Sequence, residues 1–225
     1  MGSPPVKGFG QGSADLARWA EEVYRPEDDR LREIRERSAR EGLPQIEVGR
    51  FDGLHLEILT RMASVRKAVE IGTLGGYSGV CILRGMLPGG MLHTFELSEH
   101  HALAASETFR KAGFADRVAI HVGPALEKLA SIEPEGPFDL VFLDADKVGY
   151  PSYLAWAEEH LRVGGVVLAD NAFGWGLIAS REIPPEELSS VLALREFSLR
   201  LAGGGRFRAT MIPTEEGLAV GVKIR

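Results

Sequence analysis

The sequence predicts an α/β fold: a mostly parallel sheet with helices on both faces. Three observations carry this. Short apolar runs alternate with helical patterns through the middle of the chain, the order of βαβ units. Runs such as "FDLVFLD" (138–144) and "GGVVLAD" (164–170) are apolar almost throughout, as in strands buried on both faces. A Gly-rich segment, "VEIGTLGGYSG" (69–79), joins the first run to a helical pattern.

The elements follow in order. Residues 14–41 read as helical and charged, with Pro26 as a break. Within them "DDRLREIRERSARE" alternates acids and bases at helical spacing, which predicts a solvated face. "GLPQ" (42–45) is a turn, and residues 51–62 form an amphipathic helix. Strands are then expected at 67–72, 89–97, 117–123, 138–144 and 164–170, with helices near 77–86, 98–113, 124–132 and 151–161 between them. After a helix over 185–201, "RFRATMIP" and "LAVGVKIR" flank "TEEG", a hairpin signal in which Gly217 supplies the positive φ.

The 225 residues suit one domain, residues 14–225, preceded by a flexible Gly/Ser/Pro tail at 1–13; 44% hydrophobic content is enough for a full core. The formal net charge of −6 counts against a broad nucleic-acid face. Cys81, the single cysteine, is expected to be buried and excludes an intramolecular disulfide. No apolar stretch has the length of a membrane span, and the first residues lack the apolar core of a signal peptide. A cytoplasmic location is the expectation.

Gly72, Gly75 and Gly76 allow a sharp turn and close approach to a ligand, or simply a tight structural turn. Their spacing, G-x-x-G-G, differs from the G-x-G-x-x-G of a dinucleotide clamp. Glu96, twenty residues beyond Gly76, ends the next strand, where an acid can accept from both hydroxyls of a ribose. The pair favours a nucleoside ligand beyond the carboxyl ends of the strands.

Two strands also end in acids, Asp144 and Asp170, the latter followed by Asn171. Two carboxylates and an amide carbonyl are hard oxygen donors suited to Mg²⁺ or Ca²⁺. The same residues are also common helix N-caps, and the pattern alone leaves both readings open. Lys147 lies three residues past Asp144; beside a cation its ammonium form is disfavoured, which makes it a candidate general base. Asp146 is a ligand contact or an N-cap. Phe173 and Trp175 are candidates for an aromatic wall.

Taken together, "VEIGTLGGYSG", "FELSE", "VGPALEKL", "FLDADK" and "LADN" resemble, in order and spacing, the cation-dependent O-methyltransferases that use S-adenosylmethionine, the group of catechol and caffeoyl-CoA O-methyltransferases. The resemblance covers roughly residues 43–225. It implies a single-domain, Rossmann-like class I methyltransferase whose seven-stranded, mostly parallel sheet ends in an antiparallel hairpin. By the same resemblance Glu70, Gly72, Thr73 and Ser78 line the methionine and ribose part of the donor site. Glu96 holds the ribose hydroxyls, Ala125 sits beside adenine, and Val48 is a donor contact ahead of the first helix of the domain. Asp144, Asp170 and Asn171 bind Mg²⁺ or another divalent cation such as Ca²⁺ or Mn²⁺. Asp144 and Asp146 also border the donor, and Lys147 is the base.

The segment "LPQIEVGRFDG" keeps the family's acid-Gly pair at Asp52-Gly53 but departs at Glu47, Val48 and Arg50. "DNAFGWG" departs as well, and both segments should border the acceptor. The implied acceptor is a small aromatic vicinal diol, and the implied assembly a homodimer. Rival readings are a tRNA hydroxyuridine O-methyltransferase, a nicotinamide-dependent oxidoreductase and a binding protein with a relic site.

Overall fold

A computed structural model describes residues 13–225. The expected tail, residues 1–13, lies outside them except for Ser13, whose hydroxyl accepts from the Leu16 N–H and caps helix α1 (Ala14–Tyr24). Pro26 separates α1 from α2 (Asp29–Arg40), which Asp28 caps. Helix α3 (Arg50–Met62) follows. Then come β1 (Lys67–Ile71), α4 (Tyr77–Gly85), β2 (Met91–Glu96), α5 (Glu99–Ala112), β3 (Val118–Val122) and α6 (Ala125–Lys128). The remainder comprises β4 (Phe138–Leu143), α7 (Tyr150–His160), β5 (Leu161–Ala169), α8 (Leu188–Gly203), β6 (Phe207–Ile212) and β7 (Leu218–Lys223). The expected helix at 124–132 is a single α-helical turn continued as 3₁₀ helix to Glu135.

Among the described residues the strands form one seven-stranded sheet in the order β3-β2-β1-β4-β5-β7-β6. β1 to β5 are parallel; β7 runs antiparallel between β5 and β6. The chain order reverses between β1 and β4, so the crevice at their carboxyl ends is the place where open α/β sheets bind ligands. Both faces of the sheet are covered. Leu56, Tyr77, Val80 and Phe109 pack on one side; Tyr150, Leu154, Phe197 and Leu201 pack on the other. That two-sided burial is why the central strands carry unbroken apolar runs. Cys81 is fully buried as expected, and burial pushes its thiol well up from the usual range.

Helix α2 exposes Arg32, Glu33, Glu36 and Arg40, the solvated face its charges predict, but turns two other arginines inward. Arg35 donates to the Val48 carbonyl at 2.6 Å and to Glu27 at 2.6 Å, with its guanidinium 4.0 Å from the centroid of the Tyr77 ring. Arg37 is buried and donates to Thr108 and to the Ala104 carbonyl. Alternating charge at helical spacing does not show that an arginine stem can lie along an apolar neighbour while its head finds carbonyls beneath. No described helix is long and apolar enough to cross a membrane.

Candidate active site

The site is built by strand register. Ile71 pairs with Phe95 on one side and with Leu143 on the other, and Leu143 pairs with Ala169. The next residue on each strand is therefore Glu96, Gly72, Asp144 and Asp170, one row across four strand ends. Backbone bonds extend the ladder into that row: Gly72 donates to Phe95, Asp144 to Ile71 and Asp170 to Leu143, at 2.8–3.0 Å. Gly72 is needed here. Its φ is +103°, and a Cβ would lie 2.1 Å from the Asp144 carbonyl oxygen.

Above this row lies a cavity of about 1000 Å³. Val48, Gly72, Thr73, Ser78, Glu96 and Ala125 line it, as do Asp144, Asp146, Lys147 and Asn171. Of the residues expected from the sequence, Glu70 and Asp170 lie behind the wall, 0% and 1% exposed. Glu70 accepts from Ser78 and Thr94 hydroxyls, each at 2.6 Å. Burial pushes its carboxyl up to about 7, and the two hydroxyls oppose that rise. It braces the glycine turn from beneath.

Glu96 holds the turn from the side. One carboxylate oxygen accepts from the Thr73 and Leu74 N–H groups at 3.3 and 2.8 Å; the other accepts from Ser98 N–H at 2.9 Å. His101 lies 3.4 Å from it. The carboxylate thus fixes the loop and still borders the cavity beside Phe95 and Ala125.

At the other end, Lys147 donates to Asp144 at 3.1 Å and to the Tyr150 hydroxyl at 2.9 Å, with its side chain only 10% exposed. Tyr150 is a residue that sequence reasoning missed. Fully buried, its hydroxyl sits 3.0 Å from the Leu143 carbonyl and 3.1 Å from the Asp170 carbonyl, tying the ends of β4 and β5 together under Lys147. Burial, then the nearby Asp144, Asp170 and Asp146, hold its phenol well above the ordinary range, so it stays a hydrogen-bonding partner. Asp146 is an N-cap as well as a lining residue: it accepts from Gly149 N–H at 2.8 Å and from the Tyr153 hydroxyl at 2.6 Å.

Asn171 takes a left-handed conformation, φ +57°, and its amide nitrogen donates to Glu216 on the β6–β7 loop. Trp175 reaches the cavity rim; Phe173 does not. Phe173 instead packs beneath the hairpin tip, where a Cβ on Gly217 would meet its ring at 2.8 Å. Glu47 lines the cavity with Arg35 at 3.8 Å, whereas Arg50 turns away toward Glu21 and Glu27.

The donor set for a hard cation is two carboxylates and an amide. Among the described residues no three His, Cys, Asp or Glu side chains are grouped to hold a metal. The oxygen set nonetheless fits one. The Lys147 nitrogen already rests on Asp144, and the Asn171 nitrogen is engaged by Glu216, which leaves the amide oxygen as the group it can offer.

Comparison with known proteins bears on this cleft. The sequence profile of a family described as O-methyltransferase matches residues 21–224. A catechol O-methyltransferase of Mycobacterium tuberculosis is 42% identical over 141 residues, 62% of this chain and 64% of that protein, so this match spans less than two thirds of its length. A catechol O-methyltransferase of Niastella koreensis is 32% identical across 83% of this chain and 84% of its own. The O-methyltransferase TomG from Streptomyces achromogenes, solved in complex with SAM and involved in tomaymycin synthesis, superposes with a TM-score of 0.83 at 32% identity, covering 95% of this chain and all of the other. A Rossmann-like sheet with this cleft defines the class, the S-adenosylmethionine-dependent O-methyltransferases. The chain belongs to the O-methyltransferase family.

Replacing Glu96 with alanine is expected to weaken binding of S-adenosylhomocysteine by more than about tenfold, since the carboxylate both fixes the Thr73–Leu74 turn and borders the cavity, and each lost hydrogen bond to a charged acceptor costs about 1.5–3 kcal/mol. Calorimetry measures this, and unchanged affinity would remove Glu96 from the donor site expected from the sequence.

Proposed function

We propose that the cleft transfers a methyl group from S-adenosylmethionine to one hydroxyl of a small aromatic vicinal diol, with a divalent cation such as Mg²⁺, Ca²⁺ or Mn²⁺ at Asp144, Asp170 and Asn171. The observation that carries this reading is the juxtaposition of Asp144, Lys147 and Asn171 on the cavity wall, with Asp170 immediately behind. The names of the catechol O-methyltransferases cited above support the choice of acceptor.

The donor would run along the row, its ribose toward Glu96, its adenine between Phe95 and Ala125, and its sulfonium near Gly72 and Asp144. Val48, Thr73 and Ser78 would close the near wall. A bound cation would supply charge that holds both diol oxygens and lowers the pKa of one. Lys147 would take the proton from the acceptor hydroxyl, and Asp144 and Tyr150 fix the position of its amine. The freed oxygen pair then bonds to the methyl carbon as the carbon–sulfur bond breaks and the neutral thioether leaves. Catalysis here is mostly positioning. Trp175 would cover the acceptor ring at the rim.

The test is labelled methyl transfer to caffeic acid, to a monohydroxy analogue and to tRNA, with and without chelator. Caffeic acid should be methylated, the monophenol barely so, and chelation should abolish turnover until Mg²⁺ is restored. Label on tRNA alone would sink the small-molecule reading, and full activity after exhaustive chelation would sink the cation. We also propose a cytoplasmic homodimer. Leu16, Trp19 and Val23 form an exposed apolar stripe on α1 where a second copy could seat. A monomer mass by light scattering would refute it.

A further inference from the structure

We propose that Glu216 is a positioning residue that sets which atom of Asn171 faces the cation; this rests on the cation reading above. A side-chain amide has two faces of opposite character. Its oxygen accepts and its nitrogen donates, and rotation by half a turn exchanges them. Only one orientation suits a cation, because an NH₂ group turned toward positive charge is repelled. An amide at the cavity wall therefore needs something to select its orientation.

Glu216 can make that selection. An ionised carboxylate only accepts, so it binds the nitrogen side of Asn171 and refuses the oxygen side. With the nitrogen held toward the hairpin, the oxygen is left for the Asp144–Asp170 side. The contact spans 45 residues of sequence and depends on sheet topology. β7 runs antiparallel to β5, with Ala169 opposite Ala219. The ladder then carries the loop before β7 past the residues that follow β5. Ala172 donates to the Gly217 carbonyl at 2.8 Å and Phe173 to the Glu216 carbonyl at 2.9 Å. These are backbone bonds, so replacing the Glu216 side chain leaves the hairpin tip in place. Asn171 itself takes a left-handed backbone conformation, φ +57°, next to these bonds. Partners that orient a metal ligand through its second polar atom are a general feature of metal sites, and their loss typically weakens metal binding about 10–100-fold.

The probe is Mn²⁺ itself, titrated by electron paramagnetic resonance into the apo protein, with S-adenosylhomocysteine affinity measured in parallel. Glu216→Ala should weaken Mn²⁺ binding about 10–100-fold and leave the nucleoside affinity unchanged. Glu216→Gln should fall between the wild type and the alanine variant, because its amide can accept from the Asn171 nitrogen but can equally donate to the Asn171 oxygen, so it no longer enforces one orientation. In an Asn171→Ala background, Glu216→Ala should add nothing. Unchanged Mn²⁺ binding in Glu216→Ala would overturn the proposal. So would a loss in Glu216→Gln as large as in alanine, since the role would then be charge and not orientation. If the wild-type protein binds no Mn²⁺, the cation reading itself fails and takes this inference with it, an outcome distinct from a failure in the variants alone.

Discussion

Lys147→Ala is expected to lower kcat by about 10²–10⁴-fold, the range typical of a lost general base, with S-adenosylhomocysteine affinity nearly intact. The amine stands 3.1 Å from Asp144 and 2.9 Å from the Tyr150 hydroxyl, at the cavity wall where the proposed reaction would release the acceptor proton. Its removal would take away the proposed proton acceptor and leave the glycine turn and Glu96 untouched. Lys147→Arg separates two roles. Arginine keeps the charge and the donors but does not give up a proton. It should be as slow as alanine; normal kcat in the arginine variant would mean the residue acts as a cation only. Raising the pH should recover part of the alanine loss, as more of the acceptor ionises unaided.

Gly72→Ala should be the most damaging single-methyl change in the cleft. Two costs add. The backbone φ of +103° is one that L side chains rarely adopt, and the new Cβ would lie 2.1 Å from the Asp144 carbonyl oxygen and 2.6 Å from its carbon. Neither atom is the end of a flexible chain. Both belong to the β4 end that carries Asp144. Positive-φ strain costs about 1–2 kcal/mol and overpacking about 1–3 kcal/mol, so a loss of about 2–5 kcal/mol is expected. Urea unfolding would show the midpoint falling, and donor affinity should fall with it because β1 and β4 are forced apart at the row. Gly89→Ala makes a control at a similar φ of +74° with no atom within 4 Å of the added methyl. It should cost the strain alone. Equal stability of the two variants would show that the close approach at Gly72 has no consequence.

The fold was legible because its strongest signals are local. A strand buried on both faces must be apolar throughout, and a turn with positive φ calls for glycine; both can be seen in short windows. The row Glu96, Gly72, Asp144, Asp170 was half legible. Each member ends an apolar run, but only register shows that the four lie side by side. What stayed hidden depends on long-range packing. Tyr150 reads as an ordinary helix residue until β4 and β5 are adjacent and their last carbonyls converge on its hydroxyl. Glu216 reads as half of a polar turn, "TEEG", until β7 brings it back to Asn171. Phe173 and Trp175 share one motif, yet the chain turns between them; Trp175 takes a φ of +55°, and only that residue faces the cavity. Arg35 and Arg37 show the reverse case, charges that composition assigns to water and packing draws inward.

The position of β7 also has a bearing on how the molecule is made. It follows β6 in the chain but lies between β5 and β6 in the sheet. Until β7 docks, β6 therefore has no native edge to which it can bond. That edge forms only when Leu218–Lys223 pairs with β5. Sheet closure and the clasp on Asn171 then occur in one step. Disrupting β7 alone would accordingly cost two strands of the sheet and the clasp.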